Sequence, residues 1–296
     1  MSVSFNTNTA ATSAVYDLGV SGKNLKRSLD RLSSGSRINT SFDDAGGLAV
    51  SMKLSASIRR TDSTIANVNN AISFLQTQDG ALAVADKLLN RMSELTSLAM
   101  DVTKSTSDIS LYQTELEELQ TQLYSMLDEE FNGIKLFDTG TTLNVISGNN
   151  TLSLSPTKMV VTSENGDQFV GITQSDLHAI SFDIGNSAFD PNFHTIWMRF
   201  DSTAYINQSN DIVKKAIDKL SVIRSQNGAE QARLALTVSV LQENKTTSQV
   251  AFGRIQDVDI AEESTKMASQ SIRFNASTAM VGQANQGHQV LLRLLG

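Results

Sequence analysis

The chain has 296 residues, 40% hydrophobic and only 6% aromatic, with 24 Lys and Arg against 31 Asp and Glu, for a formal charge of −7. That acidic balance speaks against a general nucleic-acid binder, which would carry a basic stripe, and against attraction to anionic lipid. Cysteine is absent, which removes disulfide staples, zinc–thiolate sites and thiol catalysis.

Residues 1–18 carry no positively charged start followed by an apolar run, so a conventional cleaved leader is not expected. No apolar stretch approaches the roughly 18 residues of a membrane-spanning helix, so membrane insertion is not expected either. The two prolines, Pro156 and Pro191, both fall between Thr141 and Tyr205, together with Trp197, His178 and His194. Both flanks are free of this helix breaker. The chain therefore divides into a helical, a β-rich and a second helical part.

The first flank opens on a coiled-coil stripe, Val15, Leu18, Leu25, Leu29 and Leu32, with Gly22 in the missing slot. Such a narrow stripe suits a meeting with another helix. A Ser- and Gly-rich loop follows around Ser33–Asn39. A second helix is expected to start near Asp43 or Asp44, whose carboxylates suit a helix N-terminus. Ile58, Ile65, Val68, Ile72, Leu75, Leu82 and Leu89 line one side of it. Unbroken to Met100, it would be roughly 85 Å long, a length natural for a rod. A third helix steps through Ile109, Tyr112, Leu116, Leu119, Leu123 and Met126, with Ser107 or Asp108 as the expected cap. Phe131–Phe137 reads as a Gly-containing turn leading into a strand.

In the centre the period changes to two. Leu143/Val145, Leu152/Leu154, Ile180/Phe182/Ile184 and Ile196/Met198/Phe200 alternate as half-buried strands do. Met159–Val161 and Phe169–Ile172 flank Asn165-Gly166, a hairpin dipeptide. From about Asn207 the helical period returns through Ile212, Ala216, Leu220 and Ile223, then Leu234, Val238 and Leu241, with an interruption expected at Asn227-Gly228. The last helix, from about Ile260, offers Met267, Phe274, Val281, Ala284, Leu291 and Leu295, diluted by Gln270, Ser277 and His288. An isolated helix with so weak a stripe is marginal in water and needs partners. The expected fold is mainly α: a long antiparallel helical rod or coiled coil formed by the N- and C-terminal segments, with a small β-rich central module.

No constellation for catalysis emerges, and no cofactor is expected. Of the three histidines, His178, His194 and His288, the first two lie sixteen residues apart and neither has Cys or carboxylate partners at metal-ligand spacing. Asp257, Asp259, Glu262 and Glu263 lack the glycine of a calcium loop and read as an acidic helix start. Asp128, Glu129 and Glu130 are consecutive and cannot face one another as an acid/base set. Gly46-Gly47 lacks the context of a phosphate loop, and neither G-x-S-x-G nor H-E-x-x-H occurs. Asn149 and Asn207 sit in glycosylation sequons, which are common by chance.

Four segments resemble bacterial flagellin, in that family's order: Leu29–Val50 (LDRLSSGSRINTSFDDAGGLAV), Phe131–Phe137 (FNGIKLF), Phe252–Met267 (FGRIQDVDIAEESTKM) and Gly282–Gly296 (GQANQGHQVLLRLLG). The resemblance implies a structural subunit that self-assembles into the helical flagellar filament for swimming. It also implies secretion, unfolded and without a cleaved signal, through the flagellar type III channel to an extracellular site. By the same resemblance, residues 1–42 and 257–296 would form the inner coiled coil and residues 43–140 and 206–256 the helical rod. Residues 141–205 would form an outward-facing variable module. The polymer interface would run through Leu18, Leu25, Leu29, Leu32, Phe274, Val281, Leu291 and Leu295. Implied partners are copies of the chain, an export chaperone that grips the C-terminal helices, the filament cap and the hook-junction proteins. The family's contact with a vertebrate Toll-like receptor maps onto Arg91, Leu95 and Glu115, with a departure at Ser93, where an Arg is usual. A hook–filament junction protein, which shares flagellin-like ends, is the alternative; the match through LLRLLG favours flagellin. Some flagellins carry a metalloprotease in the insert, but the missing H-E-x-x-H argues against that here.

Overall fold

The computed structural model describes residues 8–137, 143–147, 150–154, 157–166, 168–173, 198, 200 and 202–295. Helices α1 (Thr9–Ser34), α2 (Ala45–Ala99), α3 (Thr106–Ser125), α4 (Thr203–Gln256) and α5 (Ile260–Leu295) dominate, as the mainly α expectation required. A 3-10 turn at Met126–Asp128 leads into β1 (Glu130–Phe131) and β2 (Ile134–Lys135), and β3 (Leu143–Ser147), β4 (Asn150–Leu154), β5 (Thr157–Val161) and β6 (Phe169–Thr173) follow. The strands form three antiparallel pairs, β1 with β2, β3 with β4 and β5 with β6. Of the central strand expectations, Ile180, Phe182, Ile184 and Ile196 lie outside the described residues; Met198 and Phe200 are buried.

Local chemistry explains where the helices begin and end. The Asn8 side chain accepts from the Ala11 amide at 3.0 Å to start α1, and Gly35, at φ +70°, ends it in the left-handed conformation. The Asp44 carboxylate accepts from the Gly47 amide at 2.8 Å and caps α2. At α3 the cap is Ser105, two residues before Ser107 and three before Asp108. Asp108 is instead the third helical residue, and its carboxylate reaches back to the Ser105 amide in a reciprocal capping box. Asp259 accepts from the amides of Ala261 and Glu262 to start α5, so the acidic run does mark a helix start. Asn132 at φ +53° and Gly133 at φ +75° form the two-residue turn between β1 and β2. Gly166, at φ +74°, turns β5 into β6.

The chain forms two compact units, Met1–Arg59 with Lys245–Gly296, and Arg60–Asn244, with the boundary inside α2 and α4. In the second unit the apolar rows of α2, α3 and α4 close on one another. Val68, Leu75, Leu82 and Leu89 are buried with Leu116, Leu123, Leu220, Leu234 and Leu241. Phe74 meets Phe131 edge-on at 6.1 Å, which seats the β1–β2 hairpin, and the Lys158 ammonium lies 5.4 Å from the Phe74 ring. The expected break at Asn227-Gly228 does not occur. Asn227 fills the slot between Leu220 and Leu234 and is buried, its amide donating to Leu75 O at 3.2 Å and to Gln78 Oε1 at 2.7 Å. Gln78, also buried, donates to Leu136 O at 2.8 Å. A polar residue thus continues the row because every one of its partners is supplied.

Candidate functional site

The first unit rests on the antiparallel pair α1 and α5. On α1 the inward positions are Ala11, Ala14, Leu18, Ser21, Leu25, Ser28 and Leu32. On α5 they are Glu263, Met267, Gln270, Phe274, Ser277, Val281 and Ala284. Steps of three and four residues on both helices make this a coiled-coil seam, but much of it is Ala, Ser and Gln. Leu18, Leu25, Leu32, Phe274 and Val281 lie in it, partly buried. Val15 and Leu29 do not: they are 54% and 48% exposed, because the small residues Ser21 and Ser28 take the buried positions the stripe was expected to fill with larger groups. The buried serines escaped the reading because serine carries no hydrophobic signal; the clue was their spacing from Leu18, Leu25 and Leu32. Leu291 and Leu295 belong to α5, and their side chains lie outside the described set.

Apolar side chains also stand on the outer faces of the pair. Val15, Tyr16, Val20 and Leu29 are exposed on α1, and Ile260, Ile272, Met280 and Val290 on α5.

The loops at one end of the pair are clasped by backbone bonds. Arg37 N donates to Gln256 O at 2.7 Å, Val258 N to Gly35 O at 3.1 Å, and the Arg37 guanidinium donates twice to Ile255 O. Gln256 Nε2 returns a bond to Ile38 O at 2.8 Å. Beside the clasp, Glu263 is buried with its carboxylate 3.7 Å from Arg31. The other end is tied by Asn8 Nδ2, which donates to Ala284 O at 3.1 Å. Against partial burial, the Thr40 amide and hydroxyl and the Asn39 amide hold the Asp43 carboxyl below its ordinary range.

In the second unit, Arg91 makes a two-pronged pair with Glu115, Nε to Oε1 at 2.7 Å and Nη2 to Oε2 at 3.1 Å, and reaches Glu94 at 2.6 Å. These bonds, those to Glu115 first, raise the guanidinium pKa further. Arg91 and Glu115 remain open to solvent, but Leu95 is fully buried in the α2 row and presents no side-chain surface. Asp128, Glu129 and Glu130 are exposed, with Asp128 paired to Lys135. His178 and His194 lie outside the described residues, as does the side chain of His288. Among the described residues no group of three His, Cys, Asp or Glu could hold a metal ion, and no helix is long and apolar enough to cross a membrane.

Comparison with known proteins agrees with this architecture. Residues 5–142 match the bacterial flagellin N-terminal helical region, and residues 210–295 the bacterial flagellin C-terminal helical region. The chain is 32% identical to a flagellin of Halalkalibacterium halodurans, covering 98% of both chains. It is equally 32% identical to a flagellin of Bacillus subtilis, over 98% of this chain and 99% of that one. A solved chain from Vibrio parahaemolyticus, provisionally named a flagellar hook-associated protein, shares the fold over 73% of this chain, with a TM-score of 0.53 at 18% identity. A helical frame from both termini, a small strand region between them and near full-length agreement with flagellins place this chain in the bacterial flagellin family, as a structural subunit of the flagellar filament outside the cell.

Proposed function

We propose that the α1–α5 pair is the contact through which copies of this flagellin polymerise. Leu18, Leu25, Leu32, Phe274 and Val281 hold the pair together, while Leu29, with Val15, Tyr16, Ile272 and Met280, meets neighbouring copies; Leu291 and Leu295 extend the α5 contact. The observation that carries this reading is the set of exposed apolar side chains on both helices of a pair whose own seam is thin. Contacts that repeat from copy to copy without closing generate a helical filament. The test is electron microscopy of purified chain under seeded polymerisation, beside a copy lacking residues 257–296. Long uniform filaments from the intact chain alone are the expected result. An intact chain that stays monomeric with seeds present, or a truncated copy that polymerises as well as it, overturns the reading.

The remaining assignments belong to the same reading. Residues 1–42 with 257–296 act as the inner coiled coil, residues 43–140 with 206–256 as the surrounding rod, and residues 141–205 as the outward module. The chain leaves the cell unfolded by the flagellar export route, held beforehand by a chaperone on its C-terminal helices, and meets the hook-junction proteins and the cap in the filament. Arg91 and Glu115 offer an exposed charged contact to a vertebrate Toll-like receptor, with Leu95 supporting them from beneath. Loss of receptor response on Arg91→Ala supports that contact, and an inert wild-type protein rejects it.

A further inference from the structure

Burial in the first unit is uneven along the terminal pair. Among its described residues the buried ones are Ser21, Ser28, Ile38, Ser51 and Glu263, and of these Ile38 alone carries a large apolar side chain. None of residues 9–20 is buried, and none of the described side chains of residues 264–290. The hydrogen bonds follow the same gradient. At the clasp Gly35 is tied to Val258, Arg37 to Ile255 and Gln256, and Ile38 to Gln256. The far end has the bond from Asn8 Nδ2 to Ala284 O. Ile38 owes its burial to a glycine. A Cβ added at Gly47, near the start of α2, would stand 2.8 Å from Ile38 Cδ1 and would press on the Asp44 carboxylate that caps the helix. The missing side chain is the slot that Ile38 fills. Packing thus pins the loop after α1 to α2, and hydrogen bonds pin it to the loop before α5. Connectivity adds to this, because the clasp lies nearer along the chain to residues 60–244 than any contact between α1 and α5. Closing a contact costs more entropy the more free chain it encloses, and local opening begins where buried contacts are fewest.

We propose that Ile38, seated against Gly47, is the residue that fastens the terminal pair: α1 and α5 close from the clasp toward Asn8 and Ala284 as a copy joins the filament, and open in the reverse order. This rests on the reading that the pair is the polymerisation contact. An arriving copy is caught at the clasp before the far end of its pair is ordered.

The test uses the full chain. Filaments grown from seeds are exchanged in heavy water, and peptides of α1 and α5 are read by mass spectrometry. In the wild type, exchange should quicken from the clasp toward the far end on both helices, by roughly tenfold or more. Ile38→Ala should speed exchange along the whole pair and slow seeded elongation tenfold or more. Ile38→Val should do the same to a lesser degree, and it supplies the exchange comparison if Ile38→Ala grows no filaments. Asn8→Ala removes the far tie and the cap of α1, yet should speed exchange only at that end and slow elongation less than twofold. Gly47→Ala leaves Ile38 in place and improves the helix propensity of α2, so loosening of the pair reports the filled slot. Asp44→Ala, which removes the cap but leaves the slot open, should loosen the pair less than Gly47→Ala. Even exchange along the wild-type pair, loosening confined to the clasp in the Ile38 variants, a pair left unchanged by Gly47→Ala, or a whole pair loosened by Asn8→Ala, each overturns the proposal. Wild-type filament growth reports separately on the polymerisation reading.

Discussion

Asn227 and Ser105 show how single side chains hold this fold. Asn227→Leu would keep the volume of the row but strand Gln78, whose Oε1 accepts from the Asn227 amide inside the core. A buried amide left without a partner costs about 1–3 kcal/mol, so the unfolding midpoint in denaturant should fall by that equivalent; an unchanged midpoint would show that the network relaxes. Ser105→Ala removes the cap of α3 and should cost about 1 kcal/mol, read in the same titration. The caps also contribute to the acid response. Hydrogen bonds from Ser105, its hydroxyl first, lower the Asp108 pKa, and those from Thr103, its amide first, lower that of Asp101. A carboxylate depressed in the folded state contributes stability that is complete above its unfolded pKa of about 3.9 and is lost as pH falls through the lower folded value. Helicity followed by circular dichroism should therefore be flat from neutrality to about pH 4 and decline only below it.

At the scale of elements, the β1–β2 hairpin depends on two residues in the left-handed region, Asn132 and Gly133. Gly133→Val places a β-branched side chain there, at a cost of about 1–2 kcal/mol. Because the hairpin is seated through Phe131 on Phe74, amide exchange should rise around residues 130–136 while α3 stays protected. Equal loosening of α3 would show that the hairpin and helix open together. The dense row of α3, from Ile109 to Leu123 and on to Met126 in the turn that follows, was plain in the sequence because each step carries a large apolar side chain. The buried row of α1 was not, because half of its positions are Ala or Ser, and hydrophobicity there points toward Val15 and Leu29, which are exposed. Gly22 looked like a gap in the stripe; across the seam it is the seat of Phe274.

The whole molecule divides its charge as well as its packing. Lys and Arg outnumber Asp and Glu in the unit of residues 1–59 and 245–296, whereas in residues 60–244 acids exceed bases nearly two to one. Copies brought together thus carry like charges on matching units, and salt screens that repulsion over about 10 Å at 0.1 M. Seeded growth should be faster at 0.15 M than at 0.01 M salt; the reverse would mean that attraction between opposite charges dominates the contact. The thin seam of the terminal pair predicts a second behaviour. Limited proteolysis of the monomer should trim both ends and leave residues 60–244, while the filament protects the ends, because burial against neighbours offsets the entropy of ordering them. Full protection of both ends in a proven monomer would contradict this.

Among the described residues, the order of the main elements, their type and the flagellin-like ends were legible in the residues alone, because periodicity and caps act within a few residues of one another. Apolar spacing places α2 to α4, and Asn165-Gly166 and the Gly-containing turn of Phe131–Phe137 mark the two described hairpin turns. What the tertiary structure decided is how positions distant in the chain meet. Asn227 continues a helix instead of ending it only because Leu75 and Gln78 satisfy its amide. Leu95 is hidden while Arg91 and Glu115 stay open only because α2 turns that side of itself into the core. Gly22 has a purpose only opposite Phe274, a residue from the far end of the chain.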